Sequence, residues 1–304
     1  MRFSIWPSSA HPWDETLELA RHCEATGWEG VWFADHFMPN TGPDGGPADG
    51  PMLECWSVLA GLAAATERVR IGPLVTGNTY RHPAVLANVA AAVDQISHGR
   101  LVLGLGAGWQ VNEHRAYGIE LPSVRDRLDR LEEAAQIVLG LLRAPRTTVA
   151  GKHYRVTDAP NEPKPVQPRL PLLIGGRGER RTMRIAARYA DEWNAWTAPE
   201  EMAHKRDVLR RHCDDIGRDP AEIKISTQAF VFLSDDERWL AEQTPPIPGF
   251  PTVAGNAGQV AEAMERYRAV GVDEFIVPDW MMGPLEQRKG TYDRLMAEVI
   301  PQIA

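Results

Sequence analysis

Short apolar runs of strand length alternate along this chain with longer stretches in which apolar residues recur every three or four positions. The runs are FSIW (3–6), GVWFA (30–34), VRIGPLV (69–75), LVLGLG (101–106), PLLIGG (171–176), EWNAW (192–196), IKISTQAFVFL (223–233) and EFIVPD (274–279). Runs of this kind read as strands covered on both faces, the pattern of a parallel sheet. Between them the helical period covers 14–26, 53–65, 83–97, 123–142, 178–189, 199–217, 257–269 and 285–302. Asp14 is placed to cap the first helix and Gly27 to end it, Pro83 suits a first helical position, and Gly99 suits the left-handed residue after the third helix. Eight strands each followed by a helix predict a closed (β/α)8 TIM barrel rather than an open doubly wound sheet, as one domain over residues 1–304.

Three connections exceed the usual length of about 2 to 6 residues. They are 37–52 after the second strand, 143–170 before the fifth and 234–256 after the seventh. The first is rich in Gly, Pro and Asp, the second contains TTVAGKHYRV, a hairpin pattern around Gly151, and the third is Pro-rich after a short helical start. Loops that follow strands open on the C-terminal face of a barrel, where its enzymes keep their sites, so the first and third are expected to border a pocket.

Lys plus Arg is 33 against 41 Asp plus Glu, a net charge of −8, and no block of five like charges occurs. Nucleic acid and acidic membrane surfaces are therefore poor partners. No run of 18 apolar residues and no signal-type apolar segment is present, so no membrane helix is expected and the cytoplasm is the expected compartment. Cys23, Cys55 and Cys213 are odd in number and lack metal-type spacing, which predicts buried free thiols.

In a barrel the residues just past each strand share one pocket floor. Here they are Trp6, Asp35 and His36, Thr76 to Asn78, Gly106 to Trp109, Gly175 to Gly178, Trp196, Gln228, and Pro278 to Trp280. Aromatic walls, few polar groups and two glycine-rich turns suit a large planar ligand carrying a phosphate. In LVLGLGAGW the third position after Gly106 is Trp109, which breaks the dinucleotide spacing. In LLIGGRGERR, Gly175, Gly176 and Gly178 lie between a strand and a helix, where backbone N–H groups suit a phosphate and Arg177, Arg180 and Arg181 add charge, although a tight turn needs glycine for its own sake. His36 is the candidate acid or base, with Asp35 to orient it or to bind a cofactor. The other histidines lack metal-ligand spacing, and no G-x-S-x-G elbow, P-loop or strand-end cysteine occurs.

The segments GVWFADHF, ERVRIGPLVTGNTYRHPAVLANVAAAVDQISHGRLVLGLGAGWQVNEHRAYGI and PLLIGGRGERRTMRIAARYADEWN together resemble the luciferase-like monooxygenase superfamily, especially its branch that uses the deazaflavin coenzyme F420. The resemblance spans nearly the whole chain and implies a luciferase-like TIM barrel whose cofactor ring lies against a bulge in the third strand, with a non-proline cis peptide near Leu74 and Val75. It implies that Thr76 and Asn78 face the ring, that Gly106, Ala107 and Gly108 lie along it with Asn112 beyond, and that Gly175, Gly176, Arg177, Gly178 and Glu179 hold the phosphate. Asp35 and His36 would stand at the reactive edge, and Trp6, Trp109, Trp196 and Trp280 would form an aromatic substrate pocket. Sugar-phosphate dehydrogenases of the superfamily carry a Glu directly after the Gly-x-Gly turn, where this chain has Trp109. That departure points away from alcohol oxidation, toward hydride delivery to a conjugated or imine-like bond or toward monooxygenation. The expected function is thus an F420-dependent oxidoreductase. The alternatives are an FMN-dependent monooxygenase fed by a separate reductase, and a non-catalytic coenzyme-binding protein. A homodimer is the assembly common among such relatives.

Overall fold

The structure, a computed structural model, describes residues 1–42, 45–244, 247 and 249–303. In chain order it forms β1 (Arg2–Trp6), α1 (Trp13–Thr26), β2 (Gly30–Phe33), α2 (Cys55–Ala65), β3 (Arg70–Pro73), β4 (Thr76–Gly77), α3 (Pro83–Ile96), β5 (Leu103–Gly106), α4 (Val111–Tyr117) and α5 (Val124–Arg143). A hairpin of β6 (Thr147–Ala150) and β7 (Arg155–Ala159) follows, then β8 (Leu172–Gly175), α6 (Thr182–Tyr189), β9 (Glu192–Asn194), α7 (Pro199–Asp214), β10 (Lys224–Gln228) and β11 (Phe230–Leu233). The chain continues through α8 (Glu237–Gln243), β12 (Thr252–Gly255), α9 (Ala257–Ala269), β13 (Glu274–Pro278) and α10 (Leu285–Arg294).

The parallel sheet runs in the order β3-β2-β1-β13-β10-β9-β8-β5-β4. Its two ends are halves of one strand, broken at Leu74 and Val75: β3 pairs with β2, and β4 pairs with β5. A bridge between Ile71 and Leu101 joins them, so the ring is the expected eight-stranded barrel with a split third strand. Side chains alternate along each strand. Ile5, Phe33, Leu103, Leu172, Ile174 and Phe275 pack under the helices, while Trp32, Leu74, Val102, Leu173 and Ile276 fill the interior. At the strand starts, Glu274 accepts hydrogen bonds from Ser4 Oγ (2.6 Å), Trp32 Nε1 (2.8 Å) and Arg70 Nη1 (2.8 Å). A carboxylate buried this completely is tolerable only with such partners.

Several local expectations change. The residue before α1 is Pro12, with no side-chain cap, and Asp14 instead lies in the first turn where its charge favours the helix dipole. Gly27 ends that helix at φ 99°, and after α3 the left-handed turn is made by His98 and Gly99 together. Helix α6 starts at Thr182 rather than 178, leaving residues 178–181 as a turn. The seventh run breaks at Ala229: β10 stays in the barrel, and β11 leaves it to pair with β12. The last helix is regular only to Arg294 and continues as a wide and then a tight turn. All three cysteines are buried free thiols. Among the described residues no helix is long and apolar enough to cross a membrane.

The hairpin of 143–170 forms around Gly151 as predicted, because Glu133 on α5 accepts the N–H groups of Lys152, His153 and Tyr154 at its tip. It precedes a strand, yet it reaches the opposite end of the barrel: Tyr154 Oη lies 3.3 Å from Asn78 Nδ2, beyond β4.

Candidate active site

The peptide bond between Leu74 and Val75 is cis, and the Val75 side chain stands among glycines of the neighbouring strands. A Cβ on Gly106 would lie 2.6 Å from Val75 Cγ2, one on Gly175 2.8 Å from Val75 Cγ1, and one on Gly104 2.0 Å from the Pro73 carbonyl oxygen. All three distances are inside van der Waals contact, so the bulge demands glycine at these positions whatever ligand is bound. Gly108 and Gly176 have φ of 79° and 134° and are needed for the turns themselves.

Asp35 does not touch His36. Its buried carboxylate takes Arg81 on both oxygens, at 2.6 and 3.1 Å, and accepts the Thr76 hydroxyl. Arg81 also reaches Glu54 at 2.6 Å, and the Trp56 indole donates to Thr76 Oγ1 at 3.1 Å. Asp35 and Thr76 therefore sit in an ion-pair network that ties β2, β4 and α2 together, and their polar atoms are engaged by protein.

The partner of His36 is Glu113, on α4. Its enclosed carboxylate has Oε1 2.7 Å from His36 Nδ1 and Oε2 2.6 Å from the Phe37 N–H, and it also accepts the Tyr80 hydroxyl. Burial alone would raise the Glu113 carboxyl, but the bonds from His36, Phe37 and Tyr80 outweigh it and hold it below the ordinary carboxylate value. Burial, then the Glu113 contact, pushes the Tyr80 phenol far up, so it remains a donor. An ionised carboxylate only accepts, so the proton on the His36 ring is assigned to Nδ1 and Nε2 is left for a ligand. Trp109 meets the His36 ring edge-on at 5.4 Å. The α4 segment also holds the loop after β2: Gln110 Nε2 donates to the Met38 carbonyl and Asn112 Nδ2 to that of Pro39, each at 2.8 Å.

Asn78 gives its Nδ2 to Tyr154, and Asn112 gives its Nδ2 to Pro39. Both Oδ1 atoms are buried and have no partner among the described residues. Ala107 is half-buried in the turn after β5.

In the turn after β8, Arg177 pairs with Glu201 at 2.8 Å, and Glu179 pairs with Lys205 at 2.7 Å and His204 at 3.1 Å. The Lys205 bond is the main reason the Glu179 carboxyl lies below its ordinary value. Arg181 turns away to Asp129. A cleft of about 230 Å³ opens beside this turn, between Arg177 and Glu201 on one side and Trp196, Thr197 and Phe250 on the other.

Trp6, Trp196 and Trp280 come together. Trp6 and Trp280 are 4.9 Å apart and edge-on, and Trp6 and Trp196 are 5.7 Å apart. Phe230 and Phe250 complete the group, at 5.5 and 4.8 Å from Trp196. Trp109 is not in this cluster. Glu113, Phe230 and Phe250 were missed by sequence reasoning: Glu113 lies on a seven-residue helix too short to show a period, and Phe230 continues an unbroken strand pattern.

A family model described as luciferase-like monooxygenase matches residues 1–250. An F420-dependent glucose-6-phosphate dehydrogenase of Amycolatopsis mediterranei is 33% identical, over 58% of this chain and 50% of the relative. One of Kineococcus radiotolerans is 35% identical, over 75% and 66%. An F420-dependent hydroxymycolic acid dehydrogenase of Mycobacterium tuberculosis is 28% identical, over 74% and 60%. The chain thus spans about half to two thirds of the length of these relatives. Among solved structures, an F420-dependent secondary alcohol dehydrogenase in complex with an F420-acetone adduct superposes with a TM-score of 0.84 at 21% identity, covering 100% of both chains. A coenzyme F420 dependent tetrahydromethanopterin reductase from Methanopyrus kandleri gives 0.83 at 18%, covering 100% and 99%. At these identities the superpositions establish the shared barrel fold.

Proposed function

Since the chain belongs to the luciferase-like monooxygenase family, we propose that it is an oxidoreductase that uses coenzyme F420 to move a hydride to or from a small organic substrate. The observation that carries the reading is a histidine fixed by a buried carboxylate at a barrel mouth, together with two buried amide oxygens that have no donor among the described residues. An acceptor left unpaired in a protein interior costs about 1 to 3 kcal/mol, and the pyrimidine edge of a deazaflavin offers one N–H between its two carbonyls, and a second when reduced, to oxygens such as those of Asn78 and Asn112. The residues present therefore fit the coenzyme. Asn78, Asn112 and the Val75 bulge would hold its ring, and the N–H groups of the 176–179 turn, with Arg177 and Lys205 behind them, would hold its phosphate. When bound, F420 supplies two-electron hydride chemistry.

The chain's own part is orientation and proton handling. Glu113 keeps the His36 proton on Nδ1, so Nε2 is presented as the exchanging atom, and Trp109 packs edge-on against the ring. Asp35 acts at one remove by holding β4 against β2 and α2. The relatives named as F420-dependent support a deazaflavin over FMN. The test is titration of the apoprotein with F420 and FMN in both redox states, by calorimetry. Micromolar or tighter binding of F420 without FMN is expected, and a preference for FMN overturns the reading in favour of a reductase-fed monooxygenase. His36→Ala should bind F420 as wild type and lose turnover; undiminished turnover would remove His36 as the acid or base. A homodimer belongs to the same reading and is checked by sedimentation.

A further inference from the structure

We propose that Tyr80 is a positioning residue: through Glu113 it sets how strongly the His36 ring is held, and so how readily that ring gives or takes a proton. The part of His36 in turnover rests on the oxidoreductase reading above; the bonds that join Tyr80 to it are features of the protein alone.

One oxygen of Glu113 is shared. His36 Nδ1 and the Tyr80 hydroxyl both bond Oε1, while Oε2 takes the Phe37 N–H. A carboxylate oxygen has two lone pairs, so these two donors fill it, and each draws on the same negative charge. A phenol that donates strongly to Oε1 leaves less charge for the imidazole beside it. The Tyr80 ring is held to this task from three sides. It is stacked on His114 at 4.9 Å and 29° and meets Phe37 edge-on at 4.8 Å. Beside it, a Cβ on Gly77 would stand 2.5 Å from Tyr80 Cε2, so a glycine there leaves the ring its room. Phenylalanine would fill the same space, so packing alone does not call for the hydroxyl.

The other charged and titratable groups around the pair are accounted for. His114 Nδ1 lies 2.6 Å from the Gln110 carbonyl and Nε2 2.7 Å from Thr79 Oγ1. A carbonyl only accepts, so Nδ1 carries the proton and Nε2 accepts the Thr79 hydroxyl. Burial holds this ring below the ordinary histidine value, and nearby Arg127 lowers it further, so Tyr80 stacks on a neutral ring. Behind Tyr80 stand Asp35 and Arg81, paired at 2.6 Å, which act on the phenol in opposite directions. Among the described residues Tyr80 is thus the neutral side-chain donor through which the His36–Glu113 pair is adjusted.

The test changes the hydroxyl without emptying the site. Tyr80→Phe keeps the ring and removes the donor, whereas 3-fluorotyrosine installed at position 80 keeps the donor and makes it more acidic. Protons leave an interacting pair in steps that belong to the pair, so the readout is ring-nitrogen NMR of the apoprotein against pH, with the His36 signals identified by their loss in His36→Ala. Taking a donor from Glu113 makes the carboxylate a better base and a stronger partner for a protonated ring. Both effects carry the transition of the pair upward in Tyr80→Phe, by about half a unit to one unit, since two or three such bonds lower a carboxyl by about two units. The fluorinated ring should carry it downward. Tyr117→Phe, an exposed ring that meets the same Phe37 at 5.6 Å, should not move it. An unmoved transition in both position-80 proteins overturns the proposal, as do shifts of the same sign; a packing role alone changes stability and leaves the transition in place. F420 affinity of the same proteins, by calorimetry, should match wild type. If F420 does not bind while the transitions move as stated, the oxidoreductase reading falls and the Tyr80 assignment stands; if F420 binds and they do not move, the reverse holds.

Discussion

Glu113→Gln isolates what the buried carboxylate does for His36. Glutamine keeps the volume and offers one oxygen, enough for the Phe37 N–H, but it places an NH2 group where a carboxylate oxygen now stands 2.7 Å from Nδ1. Two donors cannot face each other, so the His36 ring is expected to move its proton to Nε2, or rotate, and the nitrogen presented to the ligand changes role. The bond lost is charge-assisted and enclosed, a type that contributes about 1.5 to 3 kcal/mol. At about 1.4 kcal/mol per factor of ten, kcat should fall roughly ten- to a hundredfold. The KM for coenzyme should hold steady, because the Glu113 carboxylate bonds His36, Phe37 and Tyr80 and none of the side chains assigned to it. Nitrogen NMR of the histidine rings reads the tautomer directly: protonated Nδ1 in wild type and protonated Nε2 in the variant. Glu113→Asp, which retains the charge, should recover more activity than Glu113→Ala. Wild-type turnover in Glu113→Gln, or a tautomer unaltered by it, would refute the assignment.

Three further outcomes follow from the geometry. Gly104→Ala would drive a Cβ to 2.0 Å from the rigid Pro73 carbonyl and should yield no soluble folded protein, whereas Gly175→Ala meets the two Val75 methyls at 2.8 and 2.9 Å and should cost about 1 to 3 kcal/mol in urea unfolding, largely recovered in the Val75→Ala/Gly175→Ala double variant. Arg100 donates to the carbonyls of Ser97, Val69, Ala63 and Thr66 beneath the barrel, so Arg100→Met should lower the unfolding free energy by about 3 kcal/mol or more. Glu54 and Glu113 are both held below the ordinary carboxylate value in the folded state, so their stabilisation is complete above about pH 4.3 and is lost as pH falls through the lowered values; the urea midpoint should drop over that acid range, less steeply in Glu113→Gln.

The barrel was legible because strands covered on both faces leave uninterrupted apolar runs, and a helix between each pair admits few other topologies. The cluster of Trp6, Trp196 and Trp280 was legible from strand-end position alone. What stayed hidden were pairings over distance. His36 and Glu113 are 77 positions apart, and nothing in ADHF or VNEHRAY says that they meet. Asp35, adjacent to His36 in sequence just past the end of β2, is drawn instead to Arg81, 46 positions on. The departure of β11 was invisible because FVFL continues the apolar run of β10, and only hydrogen-bond partners distinguish one strand from two. Gly106 and Gly175 read as ligand-facing, yet the neighbouring Val75 already explains them.

That last feature divides the mouth into a wall that cannot be rewritten and one that can. Around Val75, β5 and β8 contribute glycines, so substitutions there meet backbone or methyl groups at once and leave that side almost no room to vary. The opposite wall is borrowed from segments outside the ring, Phe230 and Phe250 on the excursion after β10 and Trp280 after β13, whose exchange leaves the barrel hydrogen bonds in place. On the proposed function, altered selectivity should therefore arise by swapping those segments, with the Val75 side carried along unchanged.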